Sequence, residues 1–267
     1  MESADRPVPQ EHGNGSRIIV GVPGPWKVRR ELIEALLEAH GGAYLFAGLM
    51  FMEVATNLAC QMDWYEHDDQ LRADFTRAGQ GKLSNALLDA VGGHQSTVYL
   101  IFDDAGYETA RTAARFAGAL LRAGGIAVKV ESAGVAHSPE RWLEARDSEK
   151  AWDIYTLFVV LVGRDDCYYS CGMHNFALPD TQVPASLGLE RGAETLNLFN
   201  MYQLVETPEL SDGSTFSLDE NAPRFRLKRQ PYEPGYEEPL HNPNGLWSLT
   251  PVESSSAKPR GRWGFFR

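Results

Sequence analysis

An α+β fold of two consecutive ferredoxin-like (β-α-β-β-α-β) units is the architecture the sequence predicts, and three observations point to it. Apolar patterning gives strand, helix, strand, strand, helix, strand over residues 17–103 and the same series over 126–229, with a helix linking the two. Paired glycines, Gly41-Gly42 and Gly124-Gly125, stop two of the helices. A chain of 267 residues, 43% of them hydrophobic, is long enough to bury a sizeable core. One mixed α/β sheet with helices on its faces is the alternative arrangement of the same elements.

Taken in order, residues 1–16 are polar and carry Pro7, Pro9, Gly13 and Gly15, which reads as a disordered leader. The first unit with its linking helix spans 17–124. Its opening strand, Arg17 to Val22, ends at Pro23-Gly24-Pro25, and Leu32, Ile33, Leu36 and Leu37 make one stripe of the helix that follows. Strands are expected at Ala43 to Ala47, Phe51 to Tyr65 and Thr97 to Phe102, with helices at 69–78 and 83–91. Small residues at Ala110, Ala113, Ala114 and Ala117 give the linking helix a face that can sit close to a sheet.

The second unit spans 125–250. A strand at Ile126 to Val130 leads to a helix announced by Ser138-Pro139, and strands at Tyr155 to Val162 and Cys167 to Met173 flank a hairpin loop. A helix from Glu190 to Val205 and a strand from Phe225 to Lys228 complete the unit, and Leu246-Trp247-Ser248-Leu249 docks on its body. Residues 251–267 read as a disordered basic tail: Lys258, Arg260, Arg262 and Arg267 against Glu253 alone give it +3 and leave −14 on residues 1–250.

The net charge of −11 and the pI near 5.1 exclude nucleic acid as the expected partner, since phosphate binding rests on Lys and Arg. No apolar run approaches the roughly 18 residues that would cross a bilayer, so no membrane association is expected. Three cysteines, Cys60, Cys167 and Cys171, are too few and too odd in number for a disulfide framework, which points to a reducing, cytoplasmic setting.

Groups that could carry chemistry are scattered. Lys129 and Glu131 share a strand face and His137 follows, which would suit a tuned acid–base pair, although ion pairs at that spacing are commonly inert. His174 and Asp180 fall in a loop after a strand, where functional groups often collect. In a ferredoxin-like unit Glu131 and His174 would occupy opposite edges; only a parallel pairing of their strands would bring Lys129, Glu131, His137, His174 and Asp180 together. Cys167, Cys171 and His174 are candidate metal ligands, yet on a strand the two thiols stand about 13 Å apart, too far for one tetrahedral ion. The glycines of Gly21-Val22-Pro23-Gly24-Pro25 could cradle a phosphate only if the two prolines did not remove amide donors. No cofactor is expected, and the motifs of serine hydrolases, zinc proteases and P-loop enzymes are absent from the sequence.

The stretches Gly125-Ile-Ala-Val-Lys-Val-Glu-Ser-Ala-Gly-Val-Ala-His137, Gly172-Met-His-Asn-Phe-Ala-Leu-Pro-Asp180 and Asp212-Gly213 resemble a family of bacterial proteins defined only as a domain of unknown function. The resemblance spans about residues 17–250 and implies a bacterial cytoplasmic protein of one shared architecture, with no catalytic role to carry over. The expected function is non-catalytic binding or regulation, with a basic protein as the partner an acidic body would suit. Surplus aromatics such as Trp142, Trp152, Trp247 and Tyr168 support a binding role, and the aromatic, cationic stretch Arg260 to Arg267 could contact an acidic surface or a partner groove, unless it is simply a frayed terminus. The alternatives are an enzyme using Lys129, Glu131, His137 or His174, and a small metal-binding protein at Cys167, Cys171 and His174.

Overall fold

A computed structural model describes residues 16–217, 223–231 and 242–252. The predicted leader, except for Ser16, and the tail from 253 onward with its aromatic stretch lie outside the described residues.

In β1 (Ile18–Gly24) the alternation places Ile18, Val20 and Val22 on one face, all fully buried. α1 (Arg29–His40) buries Leu32 and Leu36 and ends at Gly41, whose left-handed φ of 59° lets its N–H cap the carbonyl of Leu37. The single strand expected over Phe51 to Tyr65 is two. After β2 (Tyr44–Ala47), β3 (Met50–Glu53) and β4 (Leu58–Glu66) are joined by a reversal at which Asn57 takes φ 57°, a conformation asparagine tolerates better than most residues. α2 (Leu71–Ala78) and α3 (Asn85–Gly92) follow, the latter capped by Ser84 Oγ accepting from the N–H of Leu87. β5 (Ser96–Phe102), α4 (Tyr107–Arg122), β6 (Val128–Val130) and β7 (Val135–His137) complete the first sheet, whose order is β2-β3-β4-β5-β1-β6-β7.

Every pairing in that sheet is antiparallel. Its central run β4-β5-β1-β6, with α1 between β1 and β4 and α4 between β5 and β6, has the split β-α-β topology of a ferredoxin-like unit. The helix read from the sequence as a linker is thus that unit's second helix, and the strand assigned to the head of the second unit is its last strand. The hairpin β2–β3 extends one edge. The α2–α3 pair is inserted between β4 and β5 and packs against Ala127 and Ala136.

The second half departs from the expected repeat. α5 (Pro139–Arg146) starts as predicted, with Ser138 Oγ accepting from the N–H of Arg141. The strand expected from Tyr155 begins instead as α6 (Ala151–Phe158), because Ile154, Tyr155, Leu157 and Phe158 are buried at helical spacing against α4 and α5, overriding their β propensity. β8 (Val160–Gly163), β9 (Cys167–Cys171), β10 (Asp180–Pro184), α7 (Leu189–Glu206), β11 (Thr215–Ser217), β12 (Arg224–Gln230) and β13 (Leu246–Pro251) follow. They form a sheet of order β11-β12-β13-β10-β9-β8 in which β13 lies parallel to β10. One helix, α7, covers it through Leu196 and Phe199, which meet Val183, Phe225, Leu227, Trp247 and Leu249. The α+β class holds; the ferredoxin-like plan is found in the first sheet, and the second has its own order.

A larger core joins the halves. Its centre is α4, whose alanines let β1, α5 and α6 approach closely, and Trp142 donates its ring N–H to the carbonyl of Ala114. Where β9 leaves its sheet, Gly172 adopts φ +120°, and a β-carbon there would lie 2.1 Å from the carbonyl oxygen of Phe158. Neither the backbone angle nor the space admits a side chain. Gly172→Ala is expected to cost roughly 3 kcal/mol of stability, combining backbone strain with displacement of the end of α6. A urea denaturation midpoint within error of the native one would contradict this packing.

Candidate functional site

The residues singled out by sequence do not converge on one catalytic centre. Lys129 and Glu131 point to the face of the first sheet opposite α4, where Lys129 Nζ donates to Glu131 Oε2 at 2.6 Å. Beside them Gly21 leaves its side of β1 bare, so that Tyr99 and the other carboxylate oxygen of Glu131 close over it. His137 is held in the opposite direction: its Nε2 lies 3.0 Å from the carbonyl of Leu157 and its ring packs near Trp142. Burial drives its pKa down to about 4, so it is a neutral donor that ties β7 to α6. His174 is buried within a short 3-10 turn, Met173–Phe176. The contact between these two regions is made by their neighbours, Ser132 Oγ donating to Asn175 Oδ1 at 2.6 Å.

The metal reading fails on geometry. Cys167 and Cys171 are the two ends of β9, about 13 Å apart at a strand's rise, and burial pushes both thiols up, away from the thiolate a metal requires. Among the described residues no group of three His, Cys, Asp or Glu side chains could hold an ion. Of the four described aromatics singled out from the sequence, Trp142 and Trp247 are core residues, Tyr168 is half-buried beside Gly192 of α7, and Trp152 is exposed. The Pro23-Gly24-Pro25 turn likewise belongs to the end of β1, not to a phosphate cradle.

Asp180 was expected in a loop and instead opens β10, wholly inside the protein. Its Oδ1 accepts from Ser170 Oγ at 3.3 Å and from the N–H of Met173 at 3.1 Å, while Oδ2 accepts from Asn242 Nδ2 at 2.8 Å. The next residue continues the network: Thr181 Oγ1 donates to Asn200 Oδ1, Asn200 Nδ2 donates to the Tyr155 hydroxyl, and Tyr155 donates to Asn197 Oδ1. These bonds join β9, β10, α6, α7 and the turn before β13. Their role is to satisfy polar groups where the two halves meet.

The surface feature that sequence reasoning missed lies at the other end of the first sheet. The register pairs Met50 with Ala47 and Gln61, and Met52 with Leu45 and Ala59, so these side chains share the face turned away from α4. Phe51, on the opposite face, is buried against Tyr44 and Phe116. Met50 is 53% exposed and Leu45 45%, with Leu49 in the adjoining turn at 58%. Around the end of this ribbon opens a groove of about 1040 Å³, bounded by Leu49, Met50 and Leu58 to Gln61 on one side and by Asp103, Asp104, Glu108, Arg111 and Arg115 on the other. The available signal was the turn at 54–57: read as one strand, Phe51 to Tyr65 conceals the ribbon's second face.

The chain matches no family model, no curated protein and no solved structure. No helix among the described residues is long and apolar enough to cross a membrane.

The buried carboxyl carries a pH signature. Burial raises the Asp180 pKa from 3.8 to about 7, against the lowering effect of its donors. A carboxyl raised on folding contributes its full stability below the unfolded value and loses it as pH climbs through the folded one. Native stability minus that of Asp180→Asn should therefore fall by up to about 4 kcal/mol as pH rises from roughly 4 to 7, the other titrating groups being common to both proteins. A flat difference in urea denaturation across that range would remove the assignment.

Proposed function

We propose that the protein is a non-catalytic binding protein that receives a segment of another polypeptide on the outer face of the β2–β3–β4 ribbon and in the groove beside α4. One observation carries this reading. An antiparallel sheet with a solvent face places polar residues there, as β4 does at Gln61 and Asp63, whereas β2, β3 and the head of β4 present Leu45, Ala47, Met50, Met52 and Ala59, with the half-buried Ile19 and the buried Ile101 beyond Gln61. Methionines suit such a surface because their flexible side chains adapt to a partner.

The whole-chain charge of −11 favours encounter with a basic partner. Three free, buried thiols fit a reducing cytoplasm. The internal pairing of Lys129 with Glu131 and the burial of His137 and Asp180 count against an acid–base site.

Random dodecapeptides displayed on phage, selected against the protein, should yield binders that lose at least about tenfold in affinity on Met50→Asp or Leu49→Asp. Because both side chains are exposed, stability should move by no more than about 0.5 kcal/mol. Leu189→Asp, on an exposed residue of α7, should leave binding intact. Selected peptides that bind the Met50→Asp protein as well as the native one, or a selection that enriches none, would overturn the proposal.

A further inference from the structure

We infer that the docked segment enters as an added β-strand, in the row that β5 leaves when it ends at Phe102, and that it carries aliphatic side chains next to a basic one. The inference rests on the reading of this groove as a docking surface and specifies how the groove is filled. β4 and β5 are paired from Glu66 opposite Ser96 to Gln61 opposite Ile101. β4 begins three residues earlier, and among the described residues Leu58, Ala59 and Cys60 pair only with β3. Their other edge borders the groove.

The direction of the backbone along that edge follows from the ladder. Met62 donates its N–H to the carbonyl of Leu49, on the β3 side. In an antiparallel strand the N–H and C=O of one residue point the same way and alternate along the chain, so those of Ala59, three positions away, point into the groove. Ala59 is exposed, and the groove there runs between the ribbon and α4. An open strand edge with aliphatic neighbours selects an extended polypeptide, because only another backbone offers the matching donor and acceptor.

Charge at the mouth selects the side chains. Asp103 is paired with Arg17, Arg115 with Glu53 at 3.2 Å, and Arg111 lies over the Tyr107 ring. Asp104 and Glu108 have no ion-pair partner among the described residues. They stand at the start of α4, opposite Leu49 and Met50 across the groove. A lysine or arginine flanked by aliphatic residues meets both walls.

The test uses three synthetic hexapeptides capped at both ends: Lys-Val-Leu-Val-Leu-Lys, the same peptide with glutamates for lysines, and the lysine peptide N-methylated at alternate residues. Binding would be followed by amide chemical shifts of the full-length protein, with Ala59→Pro beside the native chain. Proline is tolerated here because the Ala59 N–H takes no part in the β3 ladder. The lysine peptide should bind with its largest shifts at residues 58–61. N-methylation, glutamate substitution and Ala59→Pro should each weaken it by about tenfold or more, the loss of one strong contact. Binding that Met50→Asp abolishes but that N-methylation and Ala59→Pro leave unchanged would overturn strand addition while the docking surface stood. Absence of binding up to about 1 mM would overturn strand addition as well, since a charged aliphatic strand is the occupant it requires; the docking surface then stands or falls on the dodecapeptide selection.

Discussion

Irregular backbone inside a protein must find hydrogen-bond partners away from water, and the segment between β9 and β10 is where this molecule meets that demand. The chain turns at Gly172, passes through a buried 3-10 turn and re-enters the second sheet at Asp180. Asn175 donates to the carbonyls of Phe158 and Gly172 and accepts from Ser132, while its own carbonyl accepts from the N–H of Gly106 at the head of α4. Asp180 fastens the other end to Ser170, Met173 and Asn242. The first sheet, α4, α6 and the second sheet are all held in register by these few bonds.

This joint also shows how polar residues with catalytic chemistry can serve the fold. A carboxylate, two asparagines, a serine and a tyrosine hydroxyl could equally compose an active site, and Asp180 was singled out from the sequence because it reads as part of a loop after a strand. The distinction is geometric: each acceptor around Asp180 faces a donor supplied by the chain itself. The β2–β3–β4 ribbon is the reverse case, an element whose residues look like core and whose outer half has nothing of the described residues upon it. The α2–α3 insertion covers the same face of the sheet only near β7.

Most of the helices and the strands β1, β2 and β5 were legible because they rest on local signals. Ser138-Pro139 and Gly41 act within one turn of their own positions, and the alanine face of α4 has a period that reads directly as a helix against a sheet. The errors arose where partners distant in sequence decide. Ala151 to Phe158 is rich in β-forming side chains yet is drawn into a helix by α4 and α5, and Val128 to Val130 joins the first sheet because β1 offers an open edge. Among candidate site residues, the Lys129–Glu131 pair was legible as neighbours on one face, whereas the settings of His137 and Asp180 depend on Leu157 and Asn242, 20 and 62 residues further along the chain. The apolar face of the ribbon needed the register of three strands to become visible.

The position of β13 bears on the order in which the molecule can assemble. All strands of the first sheet lie before residue 138, so that sheet can close while the rest of the chain is still being synthesised. In the second sheet β10 and β12 are separated by β13, which comes from residues 246–251. Until those residues emerge from the ribosome, two strands carrying Val183, Phe225 and Leu227 lack the neighbour between them, and the second half has to wait, partly built, against a finished first half.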